Sequence, residues 1–360
     1  MVSKLILIAS LSLMILGIVI VYSSSAVVAH LGYHDSLFFL KRQLVYVSMG
    51  IGVFVGALFI DPLYYRKYAY HLYVLALVLL ILVLIPGIGK SAGGAARWIS
   101  LGFIRIQAGE VFKFALVSYL AMSLAKKGSK MHLFHVGIVP HLILPGVAMI
   151  LLLLEPDFGT TVIVASVTFI MLFIGGARVA YLLGAVFLAL PVLYHIVSSS
   201  PYRMARVMAF LDPWTHRQEG GYQVVQSLMT LGSGGWFGLG LGQGPSKLYF
   251  LPAAHTDFIL AVIGEELGFI GIVFVVGCFV TLLCCGFWVA FKSKDIFKTY
   301  LATGLTSVLI IQAVLNSFVV MGLLPTKGLT LPLVSYGGSS LMIACLMLGI
   351  LFRLSRELKL

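Results

Sequence analysis

The sequence predicts an all-α polytopic membrane protein, one domain over residues 1–360, with about ten transmembrane helices and a large extracellular loop between the seventh and eighth. Three observations predict this class. The chain is 61% hydrophobic and only 10% charged, a balance that an ordinary soluble domain does not tolerate. Its 360 residues contain about ten of the ~20-residue apolar stretches needed to cross about 30 Å of hydrocarbon. The one long interruption, 198–257, is too small and too rich in glycine to form a domain of its own.

The first apolar run, 5–29, follows Lys4 as a signal peptide would. It extends past the ~7–15 residues of a signal core and more runs follow, so it reads as an uncleaved span. Runs at 44–60, 70–87, 109–125, 136–154, 159–174 and 179–197 supply spans two to seven by apolar length. The eighth, 258–290, exceeds what a bilayer needs, so it either tilts or begins inside protein rather than lipid. Runs at 299–323 and 337–353 complete the set. No internal repeat is visible, which leaves an inverted-repeat transporter without support. Cys278, Cys284, Cys285 and Cys345 all lie in apolar runs without a CxxC pattern, and read as small buried hydrophobes.

Orientation follows from the short loops. With a cytoplasmic N-terminus, that side receives thirteen Lys and Arg and the other side seven, plus four in the 198–257 connection. The positive-inside rule favours this arrangement and an even span count puts both termini in the cytoplasm. Eleven cations then remain on the outer side of a chain whose net charge is +12. Membrane lipid headgroups are one explanation and an anionic substrate at the outer leaflet the other; a nucleic-acid partner is not expected. Within the outer connection, YRMARVMAFL reads as a short interfacial helix with Arg203 and Arg206 on one side, within reach of such a substrate.

The stretch LPAAHTDFILAVIGEELG, 251–268, carries three carboxylates into a span. Asp257 admits two readings, a helix cap or a general base at the water-facing mouth of a groove. Glu265 lies about 80° around the helix from Asp257 and Glu266 roughly opposite it, so both cannot line one groove with it. At that depth they should face protein and find partners, as structural ion-pairing groups. Glu110 and Lys113, at i and i+3, can pair on the fourth span. Lys113 with Arg97 and Arg105 can instead hold a phosphate at the outer entrance.

In LLLEPDFGTT, 152–161, Glu155 and Asp157 flank Pro156 and fit the start of the sixth span. The alternative is a divalent cation, magnesium or manganese, held beside phosphate. The glycine run GSGGWFGLGLGQG, 232–244, matches neither GxGxxG nor GxxxxGK[ST], and reads as a packed loop. His30, His34 and Asp35 read as a headgroup-level loop rather than a metal site. The connection LLPTKGLTLPLVSYGGSS, 323–340, is ordered and non-helical, tolerated at membrane depth only where it is buried or lines a cavity. It adds Lys327 on the outer side, and Ser339 and Ser340 at a helix start can receive an anion.

The segments YRMARVMAFLDPW, GYQVVQSLMTLGSGGWFGLGLG, LPAAHTDFILAVIGEELGFIG and MGLLPTKGLTLPLVSYGGSSL resemble the SEDS family, in particular its FtsW-type members, with RodA and SpoVE as relatives. The resemblance runs over nearly the whole chain. It implies a multi-pass peptidoglycan glycosyltransferase of the bacterial cytoplasmic (inner) membrane that polymerises lipid II at the outer face. Its implied partner is a class B penicillin-binding protein transpeptidase, within a divisome or elongasome. The family's essential acid falls on Asp257, and its RxQPSExxK pattern on Arg105, Gln107, Glu110 and Lys113. Two departures stand out: Ala108 and Gly109 replace Pro-Ser, and Ala253 stands where FtsW-type chains often carry Glu.

Asp257 is therefore expected to be catalytic, with Arg97, Arg105, Lys113, Arg203, Arg206, Lys327 and Ser339 binding substrate. No protein metal site is expected, and a magnesium or manganese cofactor is left open. The competing class is a lipid II flippase, for which Glu110, Glu265 and Glu266 would supply ionisable groups at depth.

Overall fold

The computed structural model describes residues 1–358 apart from 93–94, 103, 218–219, 246–250 and 327. In chain order its elements are α1 (Val2–Tyr33), α2 (Phe38–Phe59), a short α3 (Pro62–Lys67), α4 (Ala69–Leu84), β1 (Gly89–Ala92), β2 (Ala95–Leu101), β3 (Ile104–Gln107) and α5 (Ala108–Lys127). There follow α6 (Val139–Leu154), α7 (Phe158–Ile174), α8 (Val179–Ser198), α9 (Pro201–Leu211), α10 (Tyr222–Ser233), α11 (Ile259–Lys292), α12 (Ile296–Val320) and α13 (Gly338–Glu357). Seven helices are long and apolar enough to cross a membrane: α1, α2, α5, α6 with the turn before it, α11, α12 and α13. Three shorter apolar helices, α4, α7 and α8, accompany them.

Nearly every residue of α5 from Ala108 to Leu124 is buried, as expected of a helix apolar all round. It packs against α4, α7 and α12, while α13 lies on α2, and α1 on α11. The outward faces remain exposed and apolar, as at Ile15, Val74 and Phe187, because lipid is a good solvent for them. Cys285 and Cys345 are buried as expected, whereas Cys284 is exposed on one of these faces.

Two features depart from the all-helical expectation. Residues 89–107 form a three-stranded antiparallel sheet in the order β1-β2-β3. Ser91 pairs with Ala96 and Lys90 with Trp98, so Arg97 is the extra residue of a β-bulge, a device that re-aims a side chain. β3 then runs directly into α5, which starts at Ala108.

The second departure is a break in α11. Gly268 sits at φ +68°, ψ −164° and splits the helix into a buried first segment and a long second one. The eighth span therefore begins inside protein, with Ile259–Glu266 buried throughout. The glycine run 234–240 closes the gap: Leu239 and Gly240 N–H donate to the carbonyls of Glu265 and Glu266, while Phe269 and Ile270 N–H donate to those of Gly235 and Trp236. A methyl group on Gly268 would lie 2.3 Å from the Gly238 nitrogen, so the two backbones can meet only without side chains.

Candidate active site

Asp257 lies in a tight turn just before α11. The N–H groups of Thr256, Asp257 and Phe258 all converge on the carbonyl of Ala253, whose own φ is +57°. The helix is capped at Phe258 without a side-chain bond, so the capping reading of Asp257 does not hold and its carboxylate is free for other work. The turn is tied to the 323–337 connection. Tyr336 N–H donates to the His255 carbonyl at 3.0 Å, and Ser335 Oγ donates to the Thr256 carbonyl at 2.6 Å. Asn316 Nδ2 on α12 donates to the Asp257 carbonyl at 2.7 Å.

Two of the expected cations lie close enough to act on this carboxylate electrostatically. A methyl group built on Gly328 would sit 3.5 Å from both Arg97 Nη1 and Asp257 Oδ2, so guanidinium and carboxylate flank that exposed glycine. Arg97 is held from behind, donating to the carbonyls of Glu155 and Pro156. Arg206 on α9 donates to the Thr326 carbonyl at 3.1 Å and contributes its charge to the same acid.

Burial pushes the Asp257 carboxyl up to about 6. Arg97 and Arg206 pull against that shift and Asp157 adds to it. His255 beside it is pushed down to about 4 by burial, with its ring tilted against Phe39 and edge-on to Tyr336. Of these two neighbours it is Asp257 whose proton affinity lies close to neutral pH, where a general base is most effective.

The other candidates divide. Arg105 is exposed on β3, and Arg203 is half-buried one turn before Arg206. Lys327 lies outside the described residues. Lys113 is not at the entrance: only 1% exposed, it pairs with Glu110 at 2.8 Å and donates to Gln312 Oε1, so a phosphate cannot reach it directly. Ser339 is likewise occupied, donating to the Arg105 carbonyl at 2.6 Å and accepting from Gln107 N–H at 3.1 Å. It locks β3 to α13 rather than facing a ligand. Glu110 has the pairing role expected of it. Glu266 accepts from Ser23 Oγ on α1 at 2.6 Å, and Glu265 points at Gly244.

Asp157 caps α7 through the Thr160 N–H and hydroxyl. Glu155, only 2% exposed, is pushed up to about 8 by burial, with Asp157 adding to the shift and Arg97 opposing it. Among the described residues no three His, Cys, Asp or Glu side chains cluster for a metal.

The arrangement is that of a polytopic membrane protein with a half-buried acid and two guanidinium groups near it. The chain belongs to the FtsW/RodA/SpoVE family of cell cycle proteins, whose model matches residues 3–360. It is 44% identical over 354 residues to a probable peptidoglycan glycosyltransferase FtsW of Geobacter metallireducens, covering 98% of this chain and 94% of that one. A protein of the same description from Trichlorobacter lovleyi is 45% identical over 347 residues, covering 96% and 90%. Among solved structures, a chain from a peptidoglycan synthase complex that coordinates polymerization and crosslinking superposes with a TM-score of 0.82 at 29% identity, over 98% of this chain and 97% of that one. The rod shape determining protein RodA of Thermus thermophilus gives 0.70 at 27% identity, over 98% and 96%.

Proposed function

We propose that this protein is a peptidoglycan glycosyltransferase that polymerises lipid II at the outer face of the bacterial cytoplasmic membrane during cell division. Asp257 takes the proton from the 4-hydroxyl of an acceptor GlcNAc. That oxygen attacks C1 of the MurNAc on a second lipid-linked molecule, a C–O bond forms, and the C1–O bond to undecaprenyl pyrophosphate breaks with its electron pair leaving on the pyrophosphate. One displacement turns an α-linked donor into a β-linked product, without an enzyme-bound sugar.

An inverting transfer to a sugar hydroxyl needs one base, and usually an acid for the leaving group. Pyrophosphate leaves as a stable anion, so cations can replace the acid. Arg97 and Arg206, which act on the acid electrostatically, would serve that role, with Arg105, Arg203 and Lys327 as further candidates. The single observation that carries the reading is the gathering of the Arg97 and Arg206 guanidinium groups near the half-buried Asp257 carboxyl at the turn before α11. A class B penicillin-binding protein is the partner that would crosslink the strands, and both termini would lie in the cytoplasm.

The test is reconstitution with fluorescent lipid II. A general base contributes roughly 10²–10⁴-fold, so Asp257→Ala should lose nearly all polymer while still folding and binding its partner. Polymer at the unaltered rate from the purified variant would overturn the assignment. If lipid II instead became accessible to dithionite across the bilayer with no polymer formed, the flippase reading would replace it.

A further inference from the structure

Two amides one turn apart on α12 hold the backbone that carries the proposed base. Gln312 Nε2 donates to the Thr330 carbonyl at 3.0 Å. Asn316 Nδ2 donates to the next carbonyl back, Leu329, at 2.6 Å, and to that of Asp257 at 2.7 Å. Both contacts of the Asn316 nitrogen are carbonyl oxygens, which only accept, so the amide has one orientation available. Its oxygen is buried without a hydrogen-bond partner, a cost normally avoided, and the side chain is 1% exposed.

No other side chain is seen to bridge the Asp257 backbone to the 323–337 connection at both ends. Ser335 holds Thr256, and Tyr336 holds His255; among the described residues Asn316 supplies the side-chain hydrogen bond to the backbone of residue 257 itself. It also grips the residue next to Gly328, the glycine between Asp257 and Arg97. Loosening it therefore lets acid and guanidinium drift apart together.

We infer that Asn316 is a positioning residue for the glycosyl transfer: its amide nitrogen fixes the carboxylate of Asp257 against Arg97 by clamping the carbonyls of Asp257 and Leu329. This rests on Asp257 being the base. Gln312 is the lower rung of the same ladder, and Lys113, which donates to Gln312 Oε1, orients that rung so that its NH₂ group faces the connection. Lys113 and Glu110 thus act on the site only through α12.

A merely structural amide would leave the ionisation of Asp257 alone, whereas a positioning one sets how far the acid is withdrawn from water. The groups facing Asp257 are Arg97 from β2, Arg206 from α9 and Asp157 at the start of α7; none is touched by a change at 316. The experiment measures polymerisation of fluorescent lipid II by the full chain in proteoliposomes between pH 5 and 8. Variants are Asn316→Ala, Asn316→Asp, which keeps the shape but sets an oxygen against two carbonyls, and Asn316→Ser, which keeps one donor.

The expected result is a kcat lowered about 10- to 100-fold in Ala and Asp and less in Ser, with KM within about twofold. In the Ala and Ser forms the acid limb of the pH profile should move down by a unit or more, because water reaches the carboxylate once the turn relaxes; the Asp form, which adds a second carboxylate, is read by kcat alone. An unchanged limb in both Ala and Ser, or a loss confined to KM, would overturn the inference. A variant that fails to fold leaves the Ser form to decide, on the same limb. Asp257→Ala is run in parallel: activity there would sink the base itself, whereas an inactive Asp257→Ala beside unshifted Asn316 variants would sink only the clamp.

Discussion

At the scale of the residue, Asp257 shows a conflict between stability and use. Burial raises its folded-state pKa to about 6, above the ~3.9 of an unfolded chain. The neutral acid is the form the fold prefers. Its favourable contribution is therefore fully present below about pH 4 and is lost as the pH rises through about 6. The ionised base needed for transfer exists above that point, where it costs the fold at most about 3 kcal/mol. Asp257→Asn should therefore be more heat-stable than the unaltered protein at pH 8 and equal to it at pH 4, while polymerising nothing. Thermal unfolding followed at the two pH values checks this, and a variant less stable at pH 8 would mean that Arg97 and Arg206 outweigh burial. The candidate acid stands out in the sequence because a carboxylate entering an apolar run is conspicuous. Asn316 and Gln312 do not, since an uncharged amide in a span fits many packings until its partners are known.

At the scale of the element, α5 and α12 show how charge is carried inside a bundle. The Glu110–Lys113 pair is sealed between them, and removing one partner of a buried pair costs about 3–5 kcal/mol because the other charge is stranded. Replacing both by apolar residues of similar size is often neutral or better. Lys113→Met should thus destabilise strongly, and Glu110→Leu/Lys113→Met should recover most of the loss. If polymer synthesis returns with stability in the double variant, Lys113 has no direct part in holding pyrophosphate; if stability returns without synthesis, the orientation of Gln312 is what was lost. Thermal unfolding and the lipid II assay together distinguish these. The i, i+3 spacing was readable from sequence, but not that Lys113 also donates to the buried Gln312 on α12. The sheet and the α11 break escaped for related reasons. Strands of four to seven residues carry too little alternation to stand out beside long apolar helices. Gly268 is one of 38 glycines, and its break becomes tolerable only because a distant loop supplies the missing hydrogen bonds.

At the scale of the whole molecule, the apolar runs were legible because a bilayer demands about 20 apolar residues per crossing, and each run falls on a helix of the structure. What length cannot convey is the division of labour between the two ends of the bundle. One end gathers β2, α9, the 323–337 connection and the turn before α11 around Asp257. The other carries Lys126 and Lys127 at the end of α5, Lys292 at the end of α11 and Arg356 at the end of α13. Cations concentrate on the cytoplasmic side of short loops, so the proposed orientation puts the second end inside and the site outside. In a background with its four cysteines replaced by serine or alanine, Arg217→Cys on the cap should react with a membrane-impermeant maleimide in intact cells whose outer membrane has been made permeable. Arg356→Cys should react only after lysis. The reverse pattern would place Asp257 on the cytoplasmic side, where an assembled glycan strand has no route to the wall, and the polymerase reading would fall even if the chemistry at the carboxylate were right.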